Sequence, residues 1–337
     1  MENLDWKNLG FGYMDTDYNV RCYYRNSKWG ELEISSEKHI SVHMAATGLH
    51  YGQEAFEGLK AFKGKDGKIR IFRLDENAKR LQLSCQGILM AELPTEIFTE
   101  AILKAVKLNE RFVPPYESGA SLYIRPLLFG SGAQIGVHPA DEYLFVVMVM
   151  PVGPYFKGGF KANSYAVTRK YDRAAPHGTG TYKIGGNYAA SLRANKEAHD
   201  LGYTSEFYLD AKEKKYIDEC GAANFFGIKN NTYVTPKSSS VLPSITNKSL
   251  QQLAADMGMK VEARQIPIEE LTTFEEAGAC GTAAVISPIK SIVDIENNIT
   301  YFISEEPGKI CKQLYEKLRA IQYGNEPDPY GWVTIVE

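Results

Sequence analysis

The sequence predicts a two-domain protein of the α/β (α+β) class. Three observations predict it. The chain has 337 residues, about two domains' worth. Both halves mix strand-length apolar runs with helical segments. Between them lies Pro151-Val152-Gly153-Pro154-Tyr155-Phe156-Lys157-Gly158-Gly159, a stretch with two prolines among its turn formers and no hydrophobic period. The expected division is a small N-terminal α/β domain over 1–152, an interdomain loop over 153–163, and a large C-terminal domain over 164–337.

The elements follow in order. Lys68 to Arg73 alternates as a strand. Asp75 is placed to cap a helix running to about Met90, and Thr95 another to about Arg111. Ser121 to Phe129 and Glu142 to Met150 are continuous apolar runs of buried-strand length. After the linker come strands at Ser164–Thr168, Glu206–Asp210, Asn224–Lys229 and Lys260–Ile266. A helix is expected over Tyr188–His199, and another from Thr246 that stops before Gly258. The last opens at Pro307 and ends near Tyr323-Gly324.

Composition narrows the function. The formal net charge is −3, so no basic surface argues for nucleic acid. The longest apolar run, Tyr143 to Met150, is far short of a membrane span. The first residues carry no basic, apolar leader pattern, so no signal peptide is expected. Five cysteines without a CxxC read as reduced, buried thiols of a cytoplasmic protein.

The most informative stretch is Gly178-Thr179-Gly180-Thr181-Tyr182-Lys183-Ile184-Gly185-Gly186-Asn187-Tyr188. It sets one lysine among four glycines with little other charge nearby. Desolvation disfavours an ammonium, so a lysine held there becomes a nucleophilic amine that can attack a carbonyl. The glycines let backbone approach a flat, bulky group. The plainer alternative is a loop whose lysine points at water.

Gly130-Ser131-Gly132-Ala133-Gln134-Ile135-Gly136 spaces its third glycine one place too late for a dinucleotide loop, and Pro139 follows, so it reads as a turn. His39 and His43 lie four apart, but on a β-like stretch without an acidic partner in phase; a structural role outweighs a metal site. Lys212-Glu213-Lys214-Lys215 reads as a solvated hairpin tip. In Asp218-Glu219-Cys220-Gly221-Ala222-Ala223-Asn224-Phe225-Phe226, one of two adjacent carboxylates must face inward, and a buried carboxylate requires a positive partner. That partner is either a core salt bridge or a protonated pyridine nitrogen, which makes a ring an electron sink. Val241 to Lys248 leads into a helix whose first N–H groups suit a phosphate. The turn Cys280-Gly281-Thr282-Ala283-Ala284 and Arg80 could serve the same anion. Each is ordinary in isolation.

Together these segments resemble the branched-chain amino acid aminotransferases, a pyridoxal-phosphate family of fold type IV. The anchors are Leu49-His50-Tyr51-Gly52-Gln53-Glu54-Ala55-Phe56-Glu57-Gly58-Leu59-Lys60, Ser121-Leu122-Tyr123-Ile124-Arg125-Pro126, Pro151 to Phe156, Tyr182 to Tyr188 and Asp218 to Gly221, with Ile321-Gln322-Tyr323-Gly324 near the end. The resemblance implies pyridoxal 5'-phosphate between two domains, with its lysine in the C-terminal one. It implies that Lys183 is the Schiff-base lysine and the base that moves the substrate's α-proton. Glu219 would partner the pyridine nitrogen, and Tyr188 the phenolic oxygen. Arg80, the N–H groups of Ile245 and Thr246, and the Thr282 hydroxyl would hold the phosphate. Tyr51, Phe56, Tyr123, Val137 and Tyr155 would line the substrate pocket, some across a dimer interface. Arg125 would receive the side-chain carboxylate of glutamate, and the Thr282-Ala283 backbone the α-carboxylate.

The implied reaction is a ping-pong exchange of the amino group between L-leucine, L-isoleucine or L-valine and 2-oxoglutarate, giving L-glutamate and the branched 2-oxo acids. The implied assembly is a homodimer or higher homo-oligomer, with neither nucleic acid nor membrane as partner. Animal members of the family carry a CxxC just after the Thr282 turn; here those positions are Ala284 and Ser287, which excludes a thiol switch there. The alternatives are a D-amino acid aminotransferase or an aminodeoxychorismate lyase within the same fold, or a phosphate-binding protein without covalent chemistry.

Overall fold

A computed structural model describes residues 4–6, 8–153 and 160–337. Residues 154–159 of the expected linker, Tyr155 among them, lie outside the described residues. The chain forms two compact units. The first comprises Met1–Tyr155, Tyr182–Gly185 and Ala320–Glu337; the second, Phe156–Thr181 and Gly186–Arg319. The expected domains were contiguous, whereas these units interleave. The reason at the C-terminal end is a strand pairing: Val333–Val336 runs antiparallel to Ile69–Phe72, tying the last residues to the first unit.

The first unit is built on an antiparallel sheet. Its strands lie in the order Val333–Val336, Ile69–Phe72, Leu59–Lys63, Ser121–Gly130, Tyr143–Val152, Asn19–Arg25 and Lys28–Trp29. Glu33–Ser35 pairs with Asn19–Arg25, and Glu54–Phe56 with Ser121–Gly130. The two apolar runs read from the sequence pair along their full length, from Ser121↔Val152 to Gly130↔Tyr143. Helices Leu74–Gly87 and Thr95–Leu108 bury Leu81, Cys85, Phe98, Ile102 and Val106 in one core with Ile71, Leu122, Ile124 and Phe145. Full burial of side chains of this size stabilises by about 1.5–3 kcal/mol each, relative to exposure.

Both proposed caps are corrected. The cap of Leu74–Gly87 is Arg73, in the left-handed region at φ 53°, with no side-chain cap bond. The chain turns from the strand Ile69–Phe72 into the helix in one residue, so Asp75 already lies within the first turn. The other helix is capped by Pro94, and Thr95 is its first residue. The His39–His43 stretch is not a strand.

In the second unit, Ile217–Cys220, Ser205–Leu209, Asn163–Thr168, Val285–Asp294, Glu276–Gly281 and Ala223–Lys229 pair in that order. Ala223–Lys229 then pairs back to Ile217–Cys220. The ring of pairings closes a six-stranded barrel, which removes sheet edges. Thr232–Pro236 and Lys260–Arg264 extend it, and Ile299–Phe302 flanks Val285–Asp294. Phe207, Phe225, Val234, Ile266, Leu271 and Ile292 fill its core. The Lys212–Lys215 charge run does form the turn between paired strands. Helices Gly185–Asp200, Ile245–Asp256 and Lys309–Tyr323 correspond to the three expected, with ends shifted by at most three residues. No helix among the described residues is long and apolar enough to cross a membrane.

Candidate active site

In the first unit Phe56, Arg80, Tyr123 and Arg125, of the predicted residues, gather around Lys183. Its peptide is held from both sides: its N–H donates to Ser84 Oγ at 2.9 Å, and its carbonyl accepts the Phe56 N–H at 3.1 Å. Gly87 allows the neighbouring Tyr182 to pack, because a Cβ there would lie 2.4 Å from the tyrosine ring. The Lys183 ammonium stands 4.6 Å from the centroid of the Phe56 ring. Burial, then the charge of Arg80, lowers its pKa to about 8, with Glu57 opposing.

Arg80 is 9% exposed and Glu57 fully buried. They form a two-point ion pair, Nε to Oε1 at 2.8 Å and Nη2 to Oε2 at 2.7 Å. Arg80, expected to face a phosphate, thus commits two donors to Glu57 and stays charged beside Lys183. Sequence reasoning gave Glu57 no role; its signal was an acid inside an otherwise buried run.

Arg125 lies over the Phe56 ring at 4.8 Å and donates from Nη2 to the Tyr123 oxygen at 2.9 Å. Its Nε is buried without a hydrogen-bond partner among the described residues. Glu54, also unassigned from sequence, sets its carboxylate against Gly185, where a Cβ would lie 1.7 Å from Oε1. Burial raises the Glu54 carboxyl, and the Gly185 N–H and Arg125 oppose. Tyr51 and Val137 are 44% and 88% exposed, and the Tyr51 oxygen accepts the Gly136 N–H at 3.1 Å.

In the second unit, Asp218 and Glu219 are both 2% exposed, so two carboxylates face inward rather than one. Glu219 accepts the Leu242 N–H at 2.6 Å and pairs with Arg173 Nε at 2.8 Å. Burial raises its pKa to about 7, and Arg173 pulls it down. Asp218 accepts the Ser240 hydroxyl at 2.7 Å, and burial raises it too. Tyr188 is half-buried, on the first turn of its helix.

The helix Ile245–Asp256 is capped by Ser244, whose hydroxyl accepts the Asn247 N–H at 3.1 Å. The N–H groups of Ile245 and Thr246 have no partner among the described residues, which leaves two donors at a positive helix end. Thr282 and Ala283 form the tight turn between paired strands Glu276–Gly281 and Val285–Asp294. Val285, which closes it, sits at φ 65°, a strained conformation for a β-branched residue. Among the described residues no group of three or more His, Cys, Asp or Glu could hold a metal ion.

A lysine with a depressed pKa and a buried carboxylate on a mixed α/β fold define a class rather than one protein. The model of the family Amino-transferase class IV matches residues 54–292, and the chain belongs to that family. Its relatives are more particular. The branched-chain-amino-acid aminotransferase of Helicobacter pylori is 50% identical, covering 100% of this chain and 99% of the relative. The one from Haemophilus influenzae is 45% identical with full coverage of both. The solved branched-chain amino acid aminotransferase of Escherichia coli superposes with a TM-score of 0.77 at 27% identity, over 96% of this chain and 99% of that one. A counterpart from Thermoproteus uzoniensis, solved with norvaline, gives 0.78 at 25% identity, over 94% and 100%. Within the family the chain falls among the branched-chain amino acid aminotransferases, of fold type IV.

Proposed function

We propose that this chain transfers the amino group reversibly between L-leucine, L-isoleucine or L-valine and 2-oxoglutarate, with pyridoxal 5'-phosphate as cofactor. The observation that carries the reading is Lys183, an amine with its pKa lowered to about 8 on a peptide pinned at both ends. The residues fit the cofactor chemically: one such amine, one buried carboxylate, and one helix start with unbonded N–H groups. Pyridoxal 5'-phosphate supplies an aldehyde for the amine and a ring that accepts electrons.

The chain's own groups do the rest. Near neutral pH a fraction of Lys183 is neutral, so Nζ is a nucleophile and then a base for the amino acid's α-proton. Glu219 accepts a hydrogen bond from the ring N–H, and Tyr188 pairs with the phenolic oxygen. The N–H groups of Ile245 and Thr246, the Thr282 hydroxyl and Arg80 hold the phosphate. Phe56 and Tyr123 exclude water from the branched side chain. Arg125, with its Nε unpaired, receives the second carboxylate of glutamate, and the Thr282-Ala283 backbone the α-carboxylate. The exposed Met44, Leu49, Tyr51, Ile135 and Val137 favour contact with a second copy, so a homodimer or higher homo-oligomer is proposed, in the cytoplasm.

The test is spectroscopic and catalytic. Purified protein is expected to be yellow, with a visible band that sodium borohydride abolishes. Lys183→Ala is expected to lack that band and to form no glutamate from L-leucine and 2-oxoglutarate. A variant that kept both would end the assignment. Preference for D-leucine would move the chain to the D-amino acid branch of the fold.

A further inference from the structure

Glu219 is not the only residue its task requires. Its carboxylate has two partners among the described residues, the Leu242 N–H at 2.6 Å and Arg173 Nε at 2.8 Å. A backbone amide orients an acid but carries no charge. Arg173 is therefore the cation that opposes desolvation of this 2%-exposed carboxyl. Asp218 sits next to it in sequence, equally buried, with Oδ1 lacking a partner among the described residues. Two buried carboxyls and one guanidinium cannot all be charged cheaply, and the contacts sort them. Arg173 bonds Glu219 directly, whereas Asp218 accepts the hydroxyl of Ser240.

Arg173 is itself held independently of Glu219. It is 8% exposed, and its Nη1 donates to the carbonyls of Gly180, at 3.0 Å, and of Ser240. The Gly180 contact is possible because that residue has no side chain: a Cβ there would lie 2.2 Å from the Ser240 oxygen. The guanidinium thus spans three segments: the Gly180 loop ahead of Lys183, the Ser240 loop ahead of the helix at Ile245, and the Glu219 strand.

From this geometry we infer that Arg173 is a positioning residue for the reaction, keeping Glu219 ionised and aimed, while Asp218 beside it is left to the serine loop. The inference rests on the proposed role of Glu219 toward the pyridine nitrogen. An ionised Glu219 holds a pyridine nitrogen protonated; a neutral one does not. Arg173 touches neither substrate nor ring in this scheme. It acts through the carboxylate.

The experiment compares Arg173→Met, Arg173→Lys, Glu219→Gln and the Met/Gln double variant, each loaded with pyridoxal 5'-phosphate and corrected for bound cofactor. Arg173→Met is expected to lower kcat on the order of 10²-fold with the KM for L-leucine little changed, as misplacement of a catalytic group does. Its visible spectrum is expected to shift toward that of Glu219→Gln. The double variant is expected to be no worse than the poorer single one, because both remove one function. Arg173→Lys is expected to recover part of kcat. If Arg173→Met does not fold, the Lys variant carries the test through the same spectrum and kcat.

Infrared difference spectra of the cofactor-free proteins give an independent readout. The C=O stretch of a protonated carboxyl that Glu219→Gln removes should be weak in the wild type at pH 8 and strong in the Arg173 variants. A spectrum and kcat unchanged in the Arg173 variants, with Glu219→Gln impaired, would overturn the positioning role. An unimpaired Glu219→Gln would instead remove the role of Glu219 itself.

Discussion

At the scale of single residues, the decisive quantity is the charge on one amine. Burial and then Arg80 lower the Lys183 pKa from 10.5 to about 8. The sign of the linkage follows. The unfolded chain holds that proton up to about pH 10.5, whereas the folded one releases it from about pH 8. Between those values the unfolded state binds more protons, and stability contributed by this group rises with pH. Below pH 8 the cost of burying the ammonium is fully present. We expect the rate at which cofactor-free protein takes up pyridoxal 5'-phosphate to climb through about pH 8, as the neutral amine becomes the dominant form. Stopped-flow absorbance across pH 6.5–9.5 measures it, and a profile flat through pH 8 would contradict the shift. The lysine was legible in the sequence because it stands alone among glycines. Glu57 and Arg173 were not, since an acid in an apolar run and an arginine in a loop acquire meaning only when their partners, 23 and 46 positions away in sequence, come within 3 Å.

Among the elements, the helix Ile245–Asp256 carries the clearest expectation. Its cap is Ser244, and loss of such a cap costs about 1 kcal/mol. Ser244→Ala is expected to lower stability by about that amount in urea unfolding. It should also speed loss of bound pyridoxal 5'-phosphate, because the same turn presents the Ile245 and Thr246 amides. Equal cofactor retention in the variant and the parent would separate the cap from the anion site. The long strands were visible as continuous apolar runs, and the helices by end signals such as the start at Pro307 and the stop at Gly258. What the sequence hid were short strands such as Ile217–Cys220 and Glu276–Gly281, whose small and acidic residues have no strand pattern of their own. They are strands because the barrel's closure pairs them on both sides. The misplaced caps have a simpler cause. The chain enters one helix through a left-handed Arg73 and the other through Pro94, and neither uses a capping side chain.

For the whole molecule, the five cysteines are all free and buried. Burial pushes the Cys22 thiol up to about 11 and Cys85 up to about 12, and raises Cys220, Cys280 and Cys311 as well. Thiols without thiolate character react slowly. The native protein is therefore expected to show almost no thiol reactive toward an aromatic disulfide reagent, and five after denaturation; rapid modification accompanied by loss of activity would refute this. The proline- and glycine-rich stretch suggested contiguous domains, and the return of the chain to its first unit was not readable, because a four-residue strand carries little pattern. That return has a consequence for biogenesis. The outermost strand of the N-terminal sheet, Val333–Val336, is synthesised long after Ile69–Phe72, the strand it pairs with. Until that strand emerges, Ile69–Phe72 is an open edge awaiting its neighbour, so a sheet begun early in synthesis is completed late.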